Sequence, residues 1–397
     1  WQYRRVFNHI APPIDTRCAK LASMRPALTV RAASDQESDM RTAKISANVL
    51  KAVCEDAGLD AAADKATVWS ETCGTAFYKV LWDANAGKKI GERDGAPVYE
   101  GGVRIAAVSP FEIYPENLGC ESVEEQESII EARAVHVSEI ERLYGVRLAG
   151  REIRGFSYAP VSVSAHFTGG AGGFAQGAAK NSEIVIERYI RPNAELPEGR
   201  LTVVAGDALV HDGPLPYRNG AGGARAFPFV KQCAIELSGS FFGGSIVDRL
   251  IPVQRAYNAV KNRKHEFLNR LTMGVLAVED GSVDTDELAE EGLSPGKIVV
   301  YRQGAAKPEF LGPDALPADF HDEEERLLDE FTLVSGVSEI SSNSANGTRI
   351  TSATGLQLLI DLDDTRLAVT RGSIARALKE TGRQALRLMR EFAGAGR

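Results

Sequence analysis

Phe242-Gly243-Gly244-Ser245-Ile246-Val247-Asp248-Arg249-Leu250-Ile251-Pro252-Val253-Gln254-Arg255-Ala256-Tyr257-Asn258 is where the chain changes character. Ser245 reads as a helix N-cap, and Asp248 three residues on completes a box-like pair that can satisfy free backbone N–H groups. Beyond it Ile246, Leu250, Val253, Tyr257, Val260, Phe267 and Leu271 recur on one helical face. Asn258, Asn262, Glu266 and Asn269 recur on the other. The pattern predicts a helix to about Leu271, a rod roughly 40 Å long at 1.5 Å per residue. Pro252 is expected to kink it or to move its start toward Ile251. A rod of that length does not belong inside a small α/β domain.

Upstream, residues 1–235 read as a mixed α/β body. Val6, Ile10, Ile14 and Leu21 give rough helical spacing, interrupted by Pro12-Pro13, and Leu28-Thr29-Val30 reads as extended. A helix is predicted from about Asp39 to Ala57 on the stripe Ile45, Val49, Val53. Strands are predicted at Ala76–Asp83, Val103–Val108, Glu183–Tyr189 and Leu201–Val204. Gly87–Gly95 has a hairpin's turn composition, and Ser109–Pro115 is expected to be extended around its prolines. Ser138–Tyr144 reads as a short helix stopped by Gly145. A long loop is expected near residues 157–181, around the small-residue run Gly169–Gly177.

Downstream, residues 273–319 read as a compact insert. Gly274–Val278 and Lys297–Tyr301 are expected to be strands, joined by a helical turn near Asp284–Ala289. Glu279, Asp280, Asp284, Asp286, Glu287, Glu290 and Glu291 meet no basic residue between 279 and 292. Such a run is a solvated helix surface or a docking face for a partner. A second helix is predicted from His321 to Val334 and ended by Gly336, with Asp322-Glu323-Glu324-Glu325 in its first turn, where the helix dipole favours anions. Ser338–Ile350 is largely small and polar, a mobile loop on composition. The last helical region, Thr351–Ala393, is two-faced. Ile374, Leu378, Thr381, Ala385, Leu388 and Phe392 form one stripe, and Arg376, Lys379, Arg383, Arg387 and Arg390 lie opposite. The basic stripe is a solvated face beside acidic neighbours, or a surface toward nucleic acid or another subunit.

The chain has 397 residues, enough for about two or three domains. Its 44% hydrophobic and 25% charged content excludes wholesale disorder. No apolar run approaches the ~18–20 residues of a membrane span, so no membrane partner is expected. Trp1 stands where an initiator methionine would, so the chain is expected to be trimmed or processed. A net charge of −8 argues against a surface that clamps nucleic acid throughout. Cys18, Cys54, Cys73, Cys120 and Cys233, odd in number and widely spaced, fit reduced thiols of a cytoplasmic setting. Neither zinc-finger spacing nor HExxH occurs, so no metal site is expected. Gly292–Lys297 has the wrong spacing for a phosphate loop, with Ile298 where its Ser or Thr must stand. Gly243-Gly244-Ser245 is no nucleophile elbow. No catalytic residue or cofactor is therefore expected.

The layout resembles the portal proteins of tailed double-stranded DNA bacteriophages. Asn8 with Cys18-Ala19-Lys20-Leu21 and Pro26 is similar to that family's opening helix leading into a strand. Gly74 through Trp82-Asp83 resembles its strand ending in a tryptophan and an acid. Val108-Ser109-Pro110-Phe111-Glu112-Ile113-Tyr114-Pro115 is similar to its proline-bracketed strand. Pro228-Phe229, then Phe242–Ser245 and Leu250–Asn258, resembles the approach to its stem helix. The resemblance covers nearly the whole chain in order of elements, with a short C-terminal part where many portals carry a longer crown.

The resemblance implies an α+β fold: an α/β wing over 1–244, a stem helix over 245–272, a small α/β clip over 273–319 and a second stem helix over 320–335. A channel loop over 336–352 and a long helical wing or crown region over 353–397 follow. It implies a structural homo-oligomer, a ring that is usually a dodecamer, at the capsid vertex of the virion, assembled in the host cytoplasm. Double-stranded DNA would pass through the ring during packaging and ejection. Implied partners are the terminase or packaging motor, a head-tail adaptor, and the major capsid and scaffolding proteins. In the channel loop, Asn343, Ser344, Asn346 and Arg349 would lie near DNA. The clip acids Asp284, Asp286, Glu287, Glu290 and Glu291 would meet motor or adaptor. The competing readings are another ring-forming viral structural or scaffold protein, and a hydrolase using the acids near 279–291.

Overall fold

The computed structural model describes residues 4–93, 96–153, 179–273, 275–281, 283, 300–311, 319–337 and 353–393. It divides into two compact units, Pro12–Asp248 with Gly336–Arg397, and Trp1–Ala11 with Arg249–Ser335. Helices and antiparallel sheets mix in one chain, an α+β architecture.

The larger unit is organised by strand β1, Thr75–Asp83, whose first six residues are all buried. Successive side chains of a strand point to opposite faces, so a strand sandwiched on both sides reads as a continuous apolar run. β4 (Gly102–Val108) and β11 (Phe229–Cys233) flank β1 antiparallel, with Val80 opposite Ile105 and Phe77 opposite Lys231. Ala76, Tyr78 and Val80 pack into one core with helices α2 (Glu37–Asp56), α3 (Leu59–Cys73) and α7 (Ala353–Phe392). α3 presents the small residues Ala62, Ala63 and Ala66 to that core, which lets its backbone approach the sheet.

Phe77 points the other way, into a second core with Ile129, Tyr189, Phe229 and Phe241. That core backs onto the larger sheet, ordered β10 (Ala208–Gly213), β9 (Arg200–Ala205), β8 (Ala179–Ile190), β6 (Ser128–His136) and β5 (Ile113–Pro115), with β7 (Arg151–Ile153) paired to β8. α4, Val137–Tyr144, covers Val135, Val185 and Val203 with Ile140. The hairpin β2 (Lys89–Arg93) and β3 (Ala96–Tyr99) occupies the predicted turn region. Gly74 ends α3 at φ +86°, and a Cβ there would lie 2.2 Å from the Gly243 carbonyl oxygen. Two chain segments cross at that glycine.

The smaller unit contains most of α5, Ile246–Met273, and all of α6, Asp319–Ser335. α5 has 28 residues and carries Pro252 inside it. Its start is at Ile246 and not near Ile251. Ser245 and Asp248 cap it reciprocally, the Ser245 Oγ accepting from the Asp248 N–H at 3.0 Å and the Asp248 carboxylate from the Ser245 N–H at 3.3 Å. Pro252 sits early enough that the missing N–H costs at most one bond near an end already capped.

Several expectations are corrected. Pro12 and Pro13 begin α1, Ala11–Ser23, instead of interrupting it. A first turn has no use for their missing donors. Leu28-Thr29-Val30 joins no ladder. Ser109–Pro115 is not extended throughout: Pro110–Glu112 is a 3₁₀ turn capped by the Ser109 side chain, and only Ile113–Pro115 is strand. β6 and β11 have no counterpart in the sequence reading. In the insert, β12 (Val275–Ala277) pairs with β13 (Glu309–Leu311), whereas Val300 and Tyr301 stand outside any ladder. Residues 179–181, expected in a loop, belong to β8. The helical turn at Asp284–Ala289 and the glycine run Gly169–Gly177 lie outside the described residues.

Candidate functional site

In the smaller unit residues 4–9 lie along α5. Asn262 accepts the Arg5 N–H at 2.9 Å and donates to the Arg5 carbonyl at 2.9 Å. Asn258 accepts the Phe7 N–H at 3.0 Å. Gln254 accepts the His9 N–H at 2.9 Å and donates to the Phe7 carbonyl at 2.6 Å. The match follows from element geometry. Two residues of extended chain advance about 6.6 Å, and four residues of helix about 6.0 Å. Amides at i, i+4 and i+8 can therefore read alternate backbone units of a strand. Sequence periodicity placed Asn258 and Asn262 on a polar face, without showing that this face binds backbone. The arm therefore groups with the helices, though residues 1–235 read as one body.

The arm's side chains enter the groove between the helices. Phe7 stacks on His265 at 5.9 Å and meets Tyr257 edge-on at 6.4 Å. The His9 ring lies 4.4 Å from Tyr257 and 5.7 Å from Phe331. Burial, then the charge of Lys261, lower its pKa from 6.5, against an opposing pull from Glu324. Glu324 of α6 is buried and accepts from Lys261, from Lys264 at 2.8 Å and from the Tyr257 hydroxyl at 3.3 Å. Burial alone would raise its carboxyl, but the bonds to the two lysines outweigh it and hold the pKa down at about 2. Tyr257 faces Phe331, and Phe267 faces Phe320. Advancing along α5 therefore retreats along α6, so the helices run antiparallel. Glu324, expected among first-turn anions serving the dipole, is instead the electrostatic pin of the pair.

The predicted basic stripe lies on α7. Arg376 pairs with Glu236, and Arg383 with Glu380 at 3.2 Å. Arg387 donates to the Asn219 carbonyl at 2.6 Å and lies 3.6 Å from Glu380. Lys379 and Arg390 are exposed. On the opposite face Ile374, Leu378, Thr381, Ala385 and Leu388 are buried, and Phe392 stacks on Trp82 at 5.4 Å. Asn343, Ser344, Asn346 and Arg349, like Asp284, Asp286, Glu287, Glu290 and Glu291, lie outside the described residues.

Two buried ionic sites in the larger unit escaped the sequence reading. Lys79 of β1, 4% exposed, donates to Glu131 of β6 and to Glu187 of β8, the latter at 2.6 Å. The Tyr189 hydroxyl donates to the same Glu187 oxygen at 2.5 Å, and Arg133 lies 3.5 Å from the other. Burial pulls Lys79 down, but the two carboxylates more than offset it. The second site is Arg17 of α1, 2.7 Å from Glu71 of α3, both buried. A lone lysine inside Ala76-Phe77-Tyr78-Lys79-Val80-Leu81 was the legible signal for the first. Both sites tie one element to another.

The five cysteines are free, and burial raises the thiol of Cys18 to about 11. Among the described residues no group of three or more His, Cys, Asp or Glu could hold a metal ion. Among them, too, no helix is long and apolar enough to cross a membrane.

No curated protein matches the chain. The profile of the family described as Phage P22-like portal protein matches residues 193–397, just over half of the chain. The match begins just after β8 and runs through both helices of the smaller unit and past the end of α7. With more than half of its residues matched, the chain belongs to the Phage P22-like portal protein family.

Proposed function

We propose that copies of this chain form the ring through which double-stranded DNA enters the capsid and leaves it, and on which the packaging motor and the head-tail adaptor dock. The observation that carries this reading is the family match across α5, the insert, α6 and α7. The separate helix unit supports it, because an antiparallel pair exposing both outer faces suits a stave in a closed ring. Net charge supports it too. Duplex DNA carries one negative charge per about 1.7 Å, and a chain at −8 does not grip it by phosphate neutralisation.

In this reading α5 and α6 are the stem, residues 273–319 the clip and residues 336–352 the channel loop. Arg349, with Asn343 and Asn346, touches passing phosphates, and the acids from Asp284 to Glu291 meet the motor or the adaptor. End-on electron microscopy of the purified protein tests the reading: a ring with an open centre is expected, and a small particle without a hole would overturn it. Arg349→Ala should reduce DNA packaging or retention while rings still form, and normal packaging would remove Arg349 from the channel.

A further inference from the structure

The smaller unit carries opposite charges on its two outer faces. On α5, the residues turned away from α6 and the arm include Arg249, Arg255 and Arg263, with Ala256 and Ala259 between them, all exposed. Two acids share this face: Asp248, exposed and engaged by the helix cap, and the half-buried Glu266, three residues beyond Arg263. On α6, the residues turned away from α5 include Asp319, Asp322, Glu323, Asp329 and Glu330, again all exposed, with Arg326 as the single cation among them. The inner faces are accounted for. Leu250, Val253 and Tyr257 of α5 and Glu324, Leu327 and Phe331 of α6 are buried. Residues three and four apart share a helical face, so on each helix the charged set lies opposite the buried set.

One antiparallel pair thus presents a basic face with small residues on one side and an acidic face on the other. A ring built from identical subunits needs two different complementary faces, because its contacts are heterologous. We infer that the Arg249–Arg255–Arg263 face of α5 docks on the Asp322–Glu323–Glu330 face of α6 in the next copy of this chain. Ala256 and Ala259 allow the two helices to approach, and the guanidinium groups reach the carboxylates in charge-assisted bonds. The contact sets the direction of the ring as well as its strength, since α5 against α5 or α6 against α6 would bring like charges together. This inference rests on the ring reading proposed above.

Charge reversal tests it by sedimentation velocity at about 0.1 M salt, where exposed charges still act over roughly 10 Å. Arg255→Glu with Arg263→Glu should abolish the ring peak, and so should Glu323→Lys with Glu330→Lys. The chain carrying all four changes should recover it, because the complementarity is restored with the signs exchanged. Circular dichroism checks that each variant keeps its helix content. The neutral pair Arg255→Gln with Arg263→Gln, milder toward folding, should shift assembly to higher protein concentration by tenfold or more. Rings that form as well from both reversed variants as from the parent would overturn the inference and leave the ring reading intact. So would rings that survive Glu323→Lys with Glu330→Lys alone, which would turn the acidic face toward the channel. Two inactive variants without recovery in the fourfold chain would overturn the pairing. A parent chain that forms no ring under any salt would defeat the ring reading itself.

Discussion

Lys79 has no water to turn to. Its ammonium is enclosed by Glu131, Glu187, Tyr189 and Phe229, and it joins the small sheet to the large one. Removing one partner of a buried ion pair strands the others, at a cost of about 3–5 kcal/mol. Lys79→Met should lower the unfolding free energy in urea by that amount, and adding Glu131→Gln and Glu187→Gln should recover part of it. Glu112 belongs to the same neighbourhood. Burial first, and then the charge of Glu131, raise its pKa from 4.5 to about 7, against Arg133 and Lys79. The folded state therefore binds this proton more tightly than the unfolded chain. The stabilisation it brings is complete below pH 4.5 and is lost as pH rises toward 7. Glu112→Gln should flatten the fall in stability between these two values, and an unchanged pH profile in that variant would contradict the assignment.

At the scale of elements, the arm on α5 is held by three amide side chains and by rings. Each neutral hydrogen bond adds about 1 kcal/mol, so the arm is secured but can be released. His9 faces Tyr257 and Gln254 from α5, Phe331 and Glu324 from α6, and the charge of Lys261. Its docked pKa lies below 6.5, so the released arm holds the proton more tightly, and acid favours release as pH drops through 6.5. A fluorophore on Val6→Cys, a position 77% exposed, should gain mobility between pH 7 and the acid side of that value. With His9→Gln the mobility should stay level across the same range. Asn258→Leu should free the arm at neutral pH, seen as rising anisotropy decay in the same label.

At the scale of the molecule, membership of the portal family makes this protein a structural component of the phage capsid. Its larger unit is closed by the last helix of the chain. Leu367, Ile374, Leu378, Ala385 and Leu388 of α7 fill the core shared with β1 and α3. A chain ended after Val337 should lose cooperative melting and bind a hydrophobic dye, because that sheet face would then meet water. Retention of a sharp thermal transition would show that α7 is dispensable to the fold.

Strong periodicity made α2, α4, α5, α6 and α7 legible, because a helix that buries one face must repeat its apolar residues every three to four positions. β1 and β4 were legible from their runs of strand-forming apolar and aromatic residues, continuous in β1 because both of its faces are buried. β6 was not, since Glu131 and Arg133 break its apolar pattern: Glu131 meets Lys79 from a strand 52 residues away in sequence, and Arg133 meets Glu187 of β8. The polar face of α5 was visible as a row of amides, but its partner, the arm, lies some 250 residues earlier, a separation no local pattern spans. Local spacing is written into neighbouring residues, and so the sequence by itself determined the strongly periodic helices, the most apolar strands and the absence of familiar catalytic motifs. Which buried charges meet, which strand closes the insert and which helix face receives the arm depend on distant residues brought together. Only the tertiary structure decided these, because a buried charge or amide is stable only beside the partner that folding brings to it.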